Sequence, residues 1–216
     1  MTVELSTRLT GLSPKPSTRS ILAGVTSTER CDKALIILLD GSSSMSSFMD
    51  NQRKIEVAWK VFQKDLVPNM AGWTYGIILF STRANWLIYP VSTTTALVTM
   101  RTPVTTGTTT MGEALNMAWG WVESYAKEAR FVLLSDGVPT DIGTSAIIDN
   151  ARQHRTIPID TVGIGSGTCD YNPDFLRTLS EVTGGMFTEA GTVKLLSEVI
   201  RKLSPAERPL LGTVKE

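Results

Sequence analysis

Five consecutive large aliphatic residues, Leu35 to Leu39, run straight into Asp40. The acid is followed by Gly41 and then by Ser42, Ser43 and Ser44. A short, wholly apolar run without polar alternation predicts a strand buried on both faces, as in a parallel sheet. Asp40 then falls at the C-terminal end of that strand, where open α/β sheets place their ligands. Gly41 lets the chain turn sharply. The D-x-S-x-S spacing of Asp40, Ser42 and Ser44 lets one turn aim a carboxylate and two hydroxyls at one point. All three offer hard oxygens, which suit Mg²⁺, Mn²⁺ or Ca²⁺ better than zinc or copper.

A chain of 216 residues that is 42% hydrophobic suits one packed globular domain. Lys plus Arg equals Asp plus Glu at 21 each, so no charge excess points to nucleic acid or an anionic membrane. No apolar run is long enough to span a bilayer. The start lacks a basic region followed by an apolar core, which argues against a secretory signal. Cys31 and Cys169 are too few for a disulfide framework and read as free thiols in a reducing, cytoplasmic setting.

Residues 1–30 carry Pro14, Pro16 and many Ser and Thr without hydrophobic periodicity. They read as an arm, either poorly ordered or a docking or phosphorylation segment for a partner. The domain is expected over 31–204, with 205–216 as a tail. After the first strand and a polar loop over Ser46–Gln52, a helix is predicted over Arg53–Leu66, ended by Pro68. Trp73–Ser81 and Trp86–Tyr89 read as strands joined so closely that they must form an antiparallel hairpin. Pro90 is expected to stop the second, as at a sheet edge. A short helix is expected over Ser92–Met100. The polar stretch Thr105–Thr110 leads into a helix over Gly112–Lys127. Phe131–Leu134 is another all-apolar strand, and Ser135-Asp136-Gly137 repeats the first strand's ending of acid then glycine. Helices over Thr144–His154, Pro173–Val182 and Thr192–Leu203 alternate with strands over Ile157–Ile164 and Met186–Phe187. Alternation of this kind predicts a Rossmann-like three-layer α/β fold, with a mostly parallel central sheet, one antiparallel edge strand and helices on both faces.

The D-x-S-x-S turn after a buried strand resembles the metal-ion-dependent adhesion site of von Willebrand factor type A domains. Two further loops extend the likeness. Gly107-Thr108-Thr109 ahead of Ala114-Leu115 resembles the family's G-G-T loop, with Thr108 standing where a second glycine is common. That spacing assigns the metal-binding threonine to Thr109, with Thr108 and Thr110 as fallbacks. Capping of the following helix is the competing role for such a threonine. Ser135-Asp136-Gly137 matches the third loop, and Pro139-Thr140-Asp141 resembles intracellular bacterial members. The resemblance spans about residues 33–203 and fills every site position with Asp40, Ser42, Ser44, Thr109 and Asp136. It implies a divalent cation, Mg²⁺ or alternatively Mn²⁺ or Ca²⁺, and a protein partner that offers it an acidic side chain. Met45, Phe48, Met49 and Asp141 are candidates for the rim that meets the partner, with packing over the strand ends the alternative for the first three.

Two carboxylates about 5 Å apart repel by roughly 3 kcal/mol at an effective dielectric of 20, which a cation would relieve. If Asp136 acts through a water, the direct ligands are one carboxylate and neutral hydroxyls, and the cation keeps net positive charge. Enzymatic readings find less support. His154, the sole histidine, is expected on a surface helix. Ser42–Ser44 do not form the nucleophile elbow G-x-S-x-G, and Asp40 lacks the second acid of a phosphoaspartate site. Gly163, Gly165 and Gly167 lack the full dinucleotide fingerprint and read as a turn. The expectation is therefore a non-catalytic metal-dependent binding module in a bacterial stress or regulatory assembly, such as those with kinases and phosphatases. The alternatives are a regulatory subunit of an AAA, MoxR or chelatase-like ATPase and, behind it, a metal-dependent phosphohydrolase.

Overall fold

The computed structural model describes residues 30–92, 102–165 and 171–204. The arm before Arg30, the helix expected to Met100, the turn at Ser166 and Gly167, Cys169 and the tail from 205 lie outside the described residues.

The first apolar run forms β1 (Cys31–Asp40), with every residue from Ala34 to Asp40 buried. A short hairpin of β2 (Phe48–Met49) and β3 (Gln52–Arg53) follows where an irregular loop was expected. Its turn residues Asp50 and Asn51 both take positive φ, the conformation that two-residue hairpins favour and that Asp and Asn tolerate. α1 (Lys54–Val61) is shorter than its periodicity suggested, because Phe62–Leu66 widen into a π turn before the 3-10 turn Val67–Asn69 at Pro68. β4 (Thr74–Phe80) and β5 (Ala84–Val91) form the antiparallel hairpin. β5 runs on through Pro90 to Val91, against the expected stop. An edge strand tolerates proline, whose missing N–H can face away from the ladder.

α2 (Met111–Tyr125) leads directly into β6 (Ala126–Ser135). α3 (Thr144–Gln153), β7 (Ile159–Ile164), α4 (Pro173–Thr183), β8 (Phe187–Ala190) and α5 (Val193–Lys202) complete the chain. Gly184 ends α4 at φ 72°, a left-handed cap that glycine reaches without strain.

The six-stranded sheet has the order β5-β4-β1-β6-β7-β8, and only β5 is antiparallel to its neighbour. Alternate residues of β1 serve opposite faces. Leu35, Ile37 and Leu39 pack with α1 and α5, whereas Ala34, Ile36 and Leu38 pack with α2, α3 and α4. Each large aliphatic side chain so buried contributes about 1.5–3 kcal/mol, which explains why β1 carries no polar residue from Ala34 to Leu39, the stretch covered on both faces. The chain crosses from β1 to β4 on one side and later enters β6 on the other. The C-terminal ends of β1 and β6 therefore flank a topological switch point.

Candidate metal centre

Asp40 closes β1 and Asp136 follows β6, so neighbouring parallel strands deliver both carboxylates to one end of the sheet. The three loops around them are stitched together by backbone bonds. Thr106 N–H donates to Gly41 O at 2.9 Å and Ser43 N–H to Gly107 O at 3.2 Å, joining the first loop to the second. Thr140 N–H donates to Thr109 O at 2.9 Å, and Thr109 N–H donates to Thr140 Oγ1 at 3.0 Å, joining the second to the third. The side chains between these loops are thereby held before any ligand arrives.

Asp40 is fully buried, with Ser42 N–H on its Oδ1 at 2.8 Å and Ser135 Oγ donating to its Oδ2 at 2.6 Å. Burial pushes its carboxyl from an ordinary 3.8 up to about 6. The bonds from Ser135 and Ser42 pull the other way, and the charge of Asp136 adds to the rise. Ser42 Oγ and Ser44 Oγ lie 2.8 Å apart, and Ser44 donates to Asp136 Oδ1 at 2.6 Å. Lys54, at the start of α1, donates to Asp136 Oδ2 at 2.9 Å with both side chains buried. The two carboxylates are thus not left facing each other uncompensated, as the sequence had suggested.

A methyl group placed on Gly137 would lie 3.2 Å from Thr109 Oγ1 and 3.7 Å from Asp40 Oδ2. Those two oxygens border the same small space, and a residue without a side chain keeps it open. Ser44 is exposed, so the cluster reaches solvent there. Among the described residues no group of three His, Cys, Asp or Glu could hold a metal. A cation here would depend on hydroxyls beside the two acids. An all-oxygen set of this kind fits a hard divalent ion.

The sequence model of the von Willebrand factor type A domain matches residues 35–138, from β1 to the loop after Asp136. Over that stretch, just under half of the chain, the sequence is similar to the von Willebrand factor type A domain family. Solved structures share the fold. The ArnB paralog VWA2 from Sulfolobus acidocaldarius has a TM-score of 0.63 at 21% identity over 82% of this chain. A von Willebrand factor type A protein from Catenulispora acidiphila has a TM-score of 0.65 at 17% identity, again over 82% of this chain. This chain spans only 46% and 43% of those two. The conserved hypothetical protein BatB from Bacteroides thetaiotaomicron has a TM-score of 0.60 at 19% identity over 79% of this chain and 98% of its own. No curated protein matches the chain by sequence.

Within this domain the structure brings Asp40, Ser42, Ser44, Thr109 and Asp136 together. Thr108 is exposed, and Thr110 precedes α2 without a capping bond from its side chain. The rim candidates divide. Met45 and Met49 are 0% and 5% exposed and pack into the core, a correction with a plain cause: the short turn and hairpin fold back over the strand ends. Phe48 is 69% exposed on the hairpin. Asp141 is at the surface, but its Oδ2 accepts the Glu113 N–H at 2.8 Å in the first turn of α2. His154 follows the C-terminal end of α3, stacked on Trp119 with ring centroids 4.4 Å apart, at the other end of the sheet.

Sequence reasoning missed Lys54, the bond of Ser135 to Asp40, and the role of Thr140 in clamping Thr109. It also missed Val104, Val138 and Ile142, exposed apolar residues on the second and third loops. The sequence did hold a signal for Lys54. It precedes Ala58 and Val61 at helical spacing, on the buried face of α1.

Proposed function

We propose that this domain is a non-catalytic, metal-dependent protein-binding module. Asp40, Ser42, Ser44, Thr109 and Asp136 are the residues that would hold a divalent cation, Mg²⁺ first and Mn²⁺ or Ca²⁺ as alternatives. Bound there, the ion supplies positive charge and a free coordination position for a carboxylate oxygen of a partner protein. The observation that carries this reading is the convergence of three hydroxyls and two carboxylates from loops tied by backbone bonds.

The surroundings support binding over turnover. The single histidine lies at the far end of the sheet, so no imidazole is available beside the cluster. Phe48, Val104, Val138 and Ile142 present exposed apolar surface on the loops that carry the cluster. A partner suited to them offers an acidic side chain among apolar neighbours, with the carboxylate giving orientation and the apolar contacts giving area. Among the described residues no helix is long and apolar enough to cross a membrane.

The test is retention of the protein on an immobilised peptide bearing one Asp flanked by Leu and Phe. Retention in Mg²⁺ that is lost in EDTA and in Asp40→Ala is the expected result. Equal retention in EDTA would refute metal dependence.

A further inference from the structure

Lys54 occupies an unfavourable place for a cation. It is the first residue of α1, where the helix dipole already makes the helix end positive. It is also only 5% exposed, so its ammonium has lost most of its hydration. One contact explains its position, the 2.9 Å bond from Nζ to Asp136 Oδ2. The other oxygen of Asp136 accepts the Ser44 hydroxyl at 2.6 Å. Both oxygens of this carboxylate are therefore engaged by the protein itself.

We propose that Lys54 is a positioning residue, a built-in counter-charge that makes cation and acidic ligand depend on each other at this centre. The inference rests on the metal-dependent reading above. The two carboxylates alone carry a charge of −2, which one divalent cation would neutralise. With Lys54 beside them the site carries −1, and a divalent cation leaves +1 in a largely buried cluster. That residual charge opposes binding of the cation alone and is relieved when a ligand's carboxylate joins it. Coupling of this kind is reciprocal: a carboxylate raises cation affinity by the same factor by which the cation raises carboxylate affinity. A domain so built holds its cation more weakly when unpartnered.

The experiment uses the full chain stripped with EDTA, as wild type, Lys54→Met and Lys54→Gln. Glutamine keeps a donor for Asp136 and removes the charge, so it carries the test if the methionine variant folds poorly. Calorimetry measures Mg²⁺ affinity with and without glutarate as the carboxylate probe, and melting is followed in EDTA and in Mg²⁺. Both variants are expected to bind Mg²⁺ roughly tenfold tighter than wild type, from the lost repulsion between like charges. The gain in Mg²⁺ affinity that glutarate gives the wild type is expected to shrink at least about threefold. Mg²⁺ is expected to raise the melting temperature of the variants more than that of the wild type. A merely structural lysine would lower stability without tightening the cation. If wild type binds Mg²⁺ and neither variant binds it more tightly, this inference falls and the metal-dependent reading stands. If none of the three binds Mg²⁺, both fall.

Discussion

Two buried cation–carboxylate pairs lie along β6, and they belong to different kinds of structure. At its C-terminal end Lys54 meets Asp136 at 2.9 Å; within the strand Arg130 meets Asp160 of β7 at 3.5 Å. The two positions on β6 are six residues apart, roughly 20 Å along an extended strand. Arg130 and Asp160 are held between paired strands, and Asp160 Oδ1 also accepts the Met186 N–H at 2.8 Å, which ties in the approach to β8. Asp136 instead accepts the hydroxyl of the exposed Ser44, in loops that border the space at Gly137. Burial of charge is common to both. What marks the upper pair as a candidate site is the set of small hydroxyls beside it and its access to solvent. The lower pair is part of the sheet's construction.

The contrast can be broken most forcefully at the lower pair. Arg130→Leu removes the guanidinium facing Asp160 and is expected to cost about 3–5 kcal/mol of stability in urea denaturation. Mg²⁺ affinity is expected to stay at the wild-type value. A change in Mg²⁺ binding without loss of stability would erase the distinction between the pairs.

The next effect belongs to the upper site without metal. The carboxyl of Asp40 is raised to about 6 in the folded protein against 3.8 for an ordinary aspartate. Between those values the folded state holds a proton that the unfolded chain has lost. The contribution is therefore fully present below pH 3.8 and is lost as pH rises through about 6. The metal-free fold is expected to lose up to about 3 kcal/mol across this window, at 1.36 kcal/mol per pH unit. Urea denaturation in EDTA, wild type minus Asp40→Asn, isolates the effect because the other carboxylates cancel. A flat difference would contradict the burial of this charge.

The smallest effect sharpens the account of the rim. Phe48 is 69% exposed, so Phe48→Ala is expected to change stability by no more than about 0.5 kcal/mol and leave Mg²⁺ affinity unaltered. Retention on the apolar-flanked acidic peptide is the property expected to weaken, and unchanged retention would remove Phe48 from the rim.

Local pattern made much of this molecule legible. The unbroken aliphatic run of β1 and the acid at its end announced a buried parallel strand with Asp40 at its C-terminal end, and the hydroxyl spacing after it needed no distant partner. Parts that depend on distant partners were hidden. Lys54 and Asp136 are 82 residues apart, and no local pattern pairs them. β6 begins at Ala126 rather than Phe131, because pairing with β1 carries Lys127, Glu128 and Arg130 into the sheet despite their charge. Met45 and Met49 share the polar loop's sequence neighbourhood with Phe48, yet only the fold-back of the turn and hairpin decides which of the three faces solvent.

The central claim is that Asp40 anchors a working cation site, and calorimetric titration of Mg²⁺ into EDTA-stripped protein tests it most directly. Saturable one-to-one binding by wild type, lost in an Asp40→Ala variant that still melts cooperatively, is the predicted result. Equal binding by both proteins, or none by the wild type, would contradict it.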